Sequence, residues 1–346
     1  MQNTKYFITG GAGFIGSNFI RYLLNRYQNI KILNFDNLTY AGNLNNLSDI
    51  EKDLRYSFVK GNICEIKKIE EVFNQFHPDY VVNFAAETHV DRSIHHPDIF
   101  VKSNVLGVQN LLEVSLQQGV KKYLQISTDE VYGSLGAEGS FTEKTPLDPR
   151  SPYSASKASA DLLTQAYFHT FNLPINITRC SNNYGPYQFP EKLIPLTILN
   201  CLKGKKIPVY GDGLNVRDWI HVDDHCPAID LVLHNGVAGE VYNVGANNER
   251  SNIEIVKLII QILADLRPDL KVSEALISYV EDRKGHDRRY AIDSTKIQST
   301  LRWKSKIDFI EGLTETIKWY LHQEDWLNSV INNEYLTYYA KNYGKN

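Results

Sequence analysis

A doubly wound parallel α/β sheet with a smaller, interleaved α-rich lobe is the fold this sequence predicts, and three observations predict it. A strand from Lys5 to Thr9 runs straight into the glycine-rich turn Gly10-Gly11-Ala12-Gly13-Phe14-Ile15-Gly16 and then into a helix striped by Phe19, Ile20, Leu23 and Leu24. Apolar strand-like runs then alternate with helical periodicity as far as Cys180. The length of 346 residues gives room for a large core and about two domains. The expected division is residues 1–180 with 219–246 for the sheet domain, 181–218 with 247–330 for the lobe, and 331–346 for a C-terminal tail.

Gly11, Gly13 and Gly16 satisfy G-x-G-x-x-G in a strand-to-helix context. Small residues there let the backbone approach a pyrophosphate, and the N–H groups of the helix N-terminus meet its charge. A lone glycine pattern is weak, but a second strand, Lys31 to Phe35, ends at Asp36, 20 residues after Gly16. An acid at that spacing takes the adenosine ribose hydroxyls in dinucleotide folds. Asp36 would repel a 2′-phosphate and Asn37-Leu38 supplies no arginine, so the pattern points to NAD rather than NADP.

Tyr56–Lys60 and Tyr80–Phe84 read as the next strands, with helical periodicity around Ile69, Val72 and Phe73 between them. Gly61-Asn62-Ile63 is expected near the adenine. Ala85-Ala86-Glu87-Thr88 would let a cofactor pass close to the backbone, although ordinary strand-helix packing uses the same alanines. The helix from Asn104 through Leu111, Leu112 and Val114, and the one after Tyr153, carry apolar stripes that serve a core or a dimer interface.

The run Tyr123 to Ser127 leads into Thr128-Asp129-Glu130-Val131-Tyr132-Gly133, and after a polar loop comes Tyr153-Ser154-Ala155-Ser156-Lys157. Tyr153 and Lys157, four apart, share one helical face. An ammonium there favours phenolate over phenol, lowering a pKa that is ordinarily about 10 and making Tyr153 a candidate base. A Tyr-Lys pair at this spacing also arises by chance, and Thr-Asp-Glu after a strand is a helix cap; convergence at the end of a central strand favours chemistry. In a continuing strand Asp129 and Glu130 would point to opposite faces, so a bend is expected at Thr128.

Ile175–Cys180 is a sixth strand, followed by a turn-rich, aromatic loop from Ser181 to Pro195. Arg217 to Val222 looks like a return to the core, Glu240–Val244 like another strand, and Ile253–Leu263 and Phe309–Leu321 like helices of the lobe. Asp282 to Arg289 concentrates cations, as a site or as a solvated loop; the polar, Tyr-rich stretch from Asn332 to Asn346 carries no assigned role.

With 42% hydrophobic residues, 22% charged residues and a net charge of −3, the chain lacks the basic excess that nucleic acid or an anionic membrane would call for. Cys64, Cys180, Cys201 and Cys226 have no metal-ligand spacing, so no metal is expected and the thiols should be free in a reducing compartment. The N-terminus enters a strand without a leader and no apolar run approaches the roughly 18 residues of a membrane span, so a soluble cytoplasmic protein is expected.

These residues together resemble the extended short-chain dehydrogenase/reductase family, and within it the nucleotide-sugar 4,6-dehydratases, over most of residues 4–322. The carriers are the glycine turn, Asn83 to Ser93, Ser127 to Gly133, Ser151 to Lys157, Arg179 to Pro186 and Tyr210 to Trp219. Thr128-Asp129-Glu130 discriminates, since related nucleotide-sugar epimerases share the glycine turn and the Tyr-Lys pair but lack the paired acids. The resemblance implies NAD held by Gly10, Gly13, Phe14, Ile15, Gly16, Asp36, Asn37, Leu38, Thr39, Asn62, Ile63, Phe84, Ala85, Ala86, Thr88, Ser103, Tyr153, Lys157 and Asn183. It implies a nucleotide-diphosphate sugar held by Thr88, Thr128, Asn182, Lys192, Leu193, Pro208, Tyr210, Arg217, Asn252, Arg283 and His286, with Arg217 and Arg283 at the diphosphate, where a planar fork suits phosphate oxygens.

The chemistry so implied is a lyase reaction. Tyr153, supported by Lys157, takes the O4 proton as C4 is oxidised, with Thr128 bonded to O4; Glu130 removes the C5 proton, a protonated Asp129 serves the departing C6 hydroxyl, and the hydride returns to C6. The resemblance favours dTDP-glucose, with UDP-glucose second, and further implies a homodimer in deoxysugar biosynthesis, the making of dTDP-rhamnose being the expected setting. A 4-epimerase or decarboxylase is the nearest rival and a non-catalytic NAD-binding protein the most distant. Asn62 stands where many relatives have Asp, and Lys284 where many have Pro.

Overall fold

The computed structural model describes residues 3–331. Its strands are Thr4–Thr9 (β1), Ile30–Asp36 (β2), Tyr56–Lys60 (β3), Tyr80–Asn83 (β4), Lys122–Thr128 (β5), Ile175–Cys180 (β6), Asn182–Tyr184 (β7), Ile207–Tyr210 (β8), Val216–His221 (β9), Val241–Val244 (β10), Glu249–Ser251 (β11) and Ile277–Val280 (β12). Seven of them form one parallel sheet in the order β10-β6-β5-β4-β1-β2-β3. Parallel strands need crossovers, and the crossovers cover both faces, which is why these strands read as nearly continuous apolar runs.

Alternation along β1 assigns the faces. Tyr6 and Ile8 pack with Phe19, Ile20 and Leu23 of the helix Phe14–Arg26 and with Ile229 and Val232 of the helix Val222–Asn235. Phe7 points the other way, into Ile69, Val72 and Phe73 of the helix Ile66–Phe76 and Leu111 and Leu112 of the helix Gly107–Gln118. The helix Pro152–Phe171 completes this second layer through Ala160 and Tyr167.

The lobe has its own core, in which Ile198, Trp219, Ile255, Ile259, Leu313, Ile317 and Trp326 come from four helices and β9. It is less purely helical than the sequence suggested: β7, β9 and β11 form one small sheet and β8 pairs with β12 in another. Ile220 and Val222 of the segment Arg217 to Val222 pack in the sheet domain's core, as the expected return to the core requires. The segment forms β9, which joins that three-stranded sheet and not the central one, and its alternating side chains divide between two cores, Trp219 entering the lobe's and Ile220 the sheet domain's. The central sheet is instead closed at that edge by β10, paired with β6. The proposed tail lies outside the described residues from 332 onward.

Strand β5 ends at Thr128 and the chain turns at once into a single 3₁₀ turn, Asp129–Tyr132. The Thr128 hydroxyl accepts the Glu130 N–H at 3.3 Å, so this residue both caps the turn and makes the expected bend.

Candidate active site

The carboxyl ends of β1 and β4 leave a crevice where the strand order reverses, the usual ligand position in open α/β sheets. Two glycines set its floor. Gly10 has φ +67°, and a Cβ on it would stand 2.5 Å from the Ala85 nitrogen; a Cβ on Gly16 would stand 2.4 Å from the Gly10 carbonyl oxygen. The helix Phe14–Arg26 that follows has neither a side-chain cap nor an acid in its first turn, so its first N–H groups face the cleft free for an anion. Asp36 is buried at the end of β2, with Oδ2 accepting the Ala12 N–H at 2.9 Å and Oδ1 the Leu38 N–H at 2.7 Å.

These features fit a dinucleotide. The cleft, about 320 Å³, is lined by Gly10, Gly13, Phe14, Ile15, Gly16, Asp36, Asn37, Thr39, Asn62, Ile63, Phe84, Ala85, Ala86, Thr88, Ser103, Tyr153, Lys157 and Asn183. Of the residues expected around the cofactor only Leu38 is missing from this wall, since it turns through φ 54° and offers its backbone N–H to Asp36.

The same cleft runs on to Thr128, Asp129 and Glu130. The helix Pro152–Phe171 starts at a reciprocal capping box between Ser151 and Ser154, which fixes Tyr153 and Lys157 in its first two turns. Tyr153 is 7% exposed and Lys157 5%. The Lys157 ammonium donates to the Ile126 carbonyl at 2.7 Å. The expected lowering of the Tyr153 pKa is not what the chain alone produces: burial, then the charge of Glu130, push the phenol well up, against a hydrogen bond between the Thr128 and Tyr153 side chains that pulls it down.

The paired acids differ. Asp129 is 1% exposed, and its Oδ2 has no hydrogen-bond partner among the described residues. Burial and then the charge of Glu130 raise its pKa well above the carboxylate range. Burial raises Glu130 too, but Arg283, Lys192 and Arg217 oppose the rise. Of the two adjacent carboxyls, Asp129 is thus the one pushed further toward the protonated form, and Glu130 the one whose anion has the nearby cations.

Residues expected at the sugar nucleotide gather beyond this pair. Thr88, Thr128, Asn182 and Lys192 line the cleft itself, with Lys192 Nζ donating to the Thr88 carbonyl at 3.0 Å. Tyr210 donates to Asp91 Oδ2 at 3.2 Å, Arg283 stands 3.8 Å from Asp91 Oδ1, and the rings of Tyr210 and His286 meet edge-on at 6.2 Å. Arg217 and Asn215 both donate to the Asp287 carbonyl, and the Asn215 carbonyl accepts the Asn252 N–H, so Arg217 and Asn252 are tied to the loop carrying His286. Leu193, at the start of the helix Leu193–Leu202, and Pro208, buried in β8, are not among the residues lining the cleft.

The cleft also holds groups the sequence did not single out, chiefly Glu191. It is 5% exposed, accepts the Tyr40 hydroxyl at 3.0 Å and lies 3.9 Å from Arg92 Nε, and burial raises its pKa to about 7. Its adjacency to Lys192 was the only local signal. His225, fully buried behind Asn183 and 2.8 Å from Asn183 Oδ1, gave none.

A cleft fitted to a dinucleotide that ends at a Tyr-Lys pair and the adjacent acids Asp129 and Glu130 defines a dehydratase of the extended short-chain dehydrogenase/reductase type. Comparison with known proteins agrees and narrows it. The model of the GDP-mannose 4,6 dehydratase family matches residues 7–316. A dTDP-glucose 4,6-dehydratase of Xanthomonas campestris is 49% identical over 341 residues, covering 95% of this chain and 97% of its own. Among solved structures, the dTDP-glucose 4,6-dehydratase of Bacillus anthracis in complex with NAD is 51% identical with a TM-score of 0.87, covering 94% of this chain and 99% of its own. That of Streptomyces venezuelae, solved with NAD and a second ligand, is 44% identical with a TM-score of 0.90, covering 94% and 100%. The chain belongs to the dTDP-glucose 4,6-dehydratase family.

Proposed function

We propose that this chain dehydrates dTDP-glucose to its 4-keto-6-deoxy product using bound NAD. The observation that carries the reading is the turn Asp129–Tyr132, which sets two adjacent carboxyls beside Tyr153 in the cofactor cleft, with Lys192 of the same cleft and the Arg217 and Arg283 charges favouring the ionised form of Glu130. An epimerase, which has no water to eliminate, has no use for that pair.

Removing water across C5 and C6 of a hexose is difficult because the C5 proton is not acidic until C4 is a ketone. NAD, when bound, supplies the acceptor for the C4 hydride and the donor that reduces C6. Tyr153 takes the O4 proton, with Thr128 bonded to the same oxygen and Lys157, anchored on Ile126, adding positive charge behind it. Glu130, favoured as the anion by Arg217, Arg283 and Lys192, removes the C5 proton. Asp129, held protonated, delivers its proton to the departing C6 hydroxyl. Arg217 and Arg283 hold the diphosphate, and Asp36 the adenosine ribose.

The finer expectations rest on supporting features. Leu106, just before the helix Gly107–Gln118, and Leu162 and Phe171 of the helix Pro152–Phe171 are exposed and support a homodimer. Four free cysteines support a reducing cytoplasmic setting, and no helix among the described residues is long and apolar enough to cross a membrane. Deoxysugar biosynthesis, with dTDP-rhamnose as one outcome, follows from the product.

Incubation with dTDP-glucose and UDP-glucose deuterated at C4 tests the reading. The dTDP substrate should give product deuterated at C6, with NAD copurifying and no added reductant required. Label returned to C4 would make the protein an epimerase; label lost to free cofactor, or left in place, would end the reading.

A further inference from the structure

Arg179 lies at the centre of a buried network that no step above uses. It sits on β6 beside Ser127 of β5 and is 3% exposed. Its Nε donates to Asp161 Oδ2 at 2.8 Å and its Nη1 to the Tyr132 hydroxyl at 2.9 Å, with the guanidinium carbon 4.8 Å from the centre of the Tyr132 ring. The Tyr132 hydroxyl donates onward to Asn243 Oδ1 on β10 at 2.8 Å. Asp161 lies four residues after Lys157 on the helix Pro152–Phe171, and its charge favours the Lys157 ammonium. Tyr132 is the last residue of the turn that begins at Asp129.

A buried ion pair is poor evidence for stability, because packed apolar side chains in its place are often as stable or more so. Asp161 is 0% exposed and its Oδ1 has no hydrogen-bond partner among the described residues, so this pair is not even fully satisfied. What the pair does achieve is geometric. A planar guanidinium presents donors in two fixed directions, and here one reaches the helix of Tyr153 and Lys157 while the other reaches the turn of Asp129 and Glu130.

We propose that Arg179 is a positioning residue that couples the two halves of the reaction, fixing the elimination acids relative to the oxidation pair so that both sets meet one bound sugar. The proposal rests on the dehydration reading above. Tyr132→Phe removes the hydroxyl through which Arg179 reaches the turn and leaves the Asp161 pair intact. In single turnovers of dTDP-glucose, C4 oxidation, read from the absorbance of the reduced cofactor, should stay within a few-fold of wild type. Exchange of the C5 proton with solvent should slow by roughly 10²-fold, the effect of a displacement of about 1 Å.

Arg179→Lys keeps a charge beside Asp161 but cannot span both partners, and should show the same split while melting close to wild type. Asn243→Ala removes the outer support but keeps the bond between Arg179 and Tyr132, and should leave the ratio of the two rates unchanged. Equal slowing of both steps in Tyr132→Phe, or an equally large split in Asn243→Ala, overturns the proposal. A wild-type chain that forms no 4-keto-6-deoxy product overturns the function reading, and the inference with it.

Discussion

Lys157 Nζ donates to the carbonyl oxygen of Ile126 at 2.7 Å, so the ammonium of the Tyr-Lys pair is anchored to the central strand. The anchor fixes where positive charge sits in a pocket that otherwise raises the Tyr153 phenol and, by burial, lowers the pKa of Lys157 itself. Lys157→Met, of similar length, should fold normally yet slow C4 oxidation by about 10²-fold or more, the usual scale for lost acid-base help. Single-turnover formation of reduced cofactor measures this, and an unchanged rate would remove Lys157 from the site.

Elimination should have a bell-shaped pH profile. Glu130 must be ionised, and since burial raises its pKa, falling pH should protonate it earlier than an ordinary carboxylate. Asp129 must be protonated, and rising pH removes that proton. The two limbs belong to the pair and not to single residues. Glu130→Gln and Asp129→Asn should each preserve binding and C4 oxidation while slowing elimination by about 10²- to 10⁴-fold. Wild-type elimination in both variants, or a flat profile of C5 exchange in the native chain, would contradict these roles.

The sequence revealed what its own neighbourhood encodes. The glycine turn, Asp36, the Asp129-Glu130 pair and the Tyr153-Lys157 pair are legible because each needs only a strand end or one helical turn to be assembled. Glu191 was illegible because its partner Tyr40 lies 151 residues away, and the Arg179 network because Asp161 and Tyr132 lie 18 and 47 residues from it. Arg217 to Val222 was legible as a return to the core, where Ile220 and Val222 pack, but a strand pattern does not state which sheet supplies the partner, and here it is the three-stranded one.

Glu191 should make stability fall with rising pH. Its pKa in the fold is about 7, above the roughly 4.3 of an unfolded glutamate. Between those values the native chain holds a proton that the unfolded chain has released, so the contribution to stability is full below the lower value and declines up to the higher one. Glu191→Gln cannot ionise and should remove that decline. The melting temperature of the variant relative to wild type, with saturating NAD, should therefore rise between pH 5 and pH 8, and a difference independent of pH would show that Glu191 is ionised throughout.

Arg217 carries the most direct test of how the nucleotide is held. It is 4% exposed, yet its donors go to the Val216 and Asp287 carbonyls at 2.7 and 2.9 Å, and its guanidinium lies 4.2 Å from the centre of the Tyr290 ring. Neutral oxygens and a ring face leave the buried charge without a contact carboxylate among the described residues, an arrangement suited to an incoming diphosphate. Arg217→Ala should therefore weaken dTDP and dTDP-glucose by the same factor, on the order of 10²-fold, since truncating one side of a buried charge pair costs about 2–5 kcal/mol. Because Arg217 also opposes the rise in the Glu130 pKa, the acid limb of C5 exchange should move to higher pH in the variant. Titration calorimetry with both ligands and the exchange profile read these effects separately. A loss confined to dTDP-glucose would place Arg217 at the sugar, and an unmoved acid limb would show that its charge does not reach Glu130.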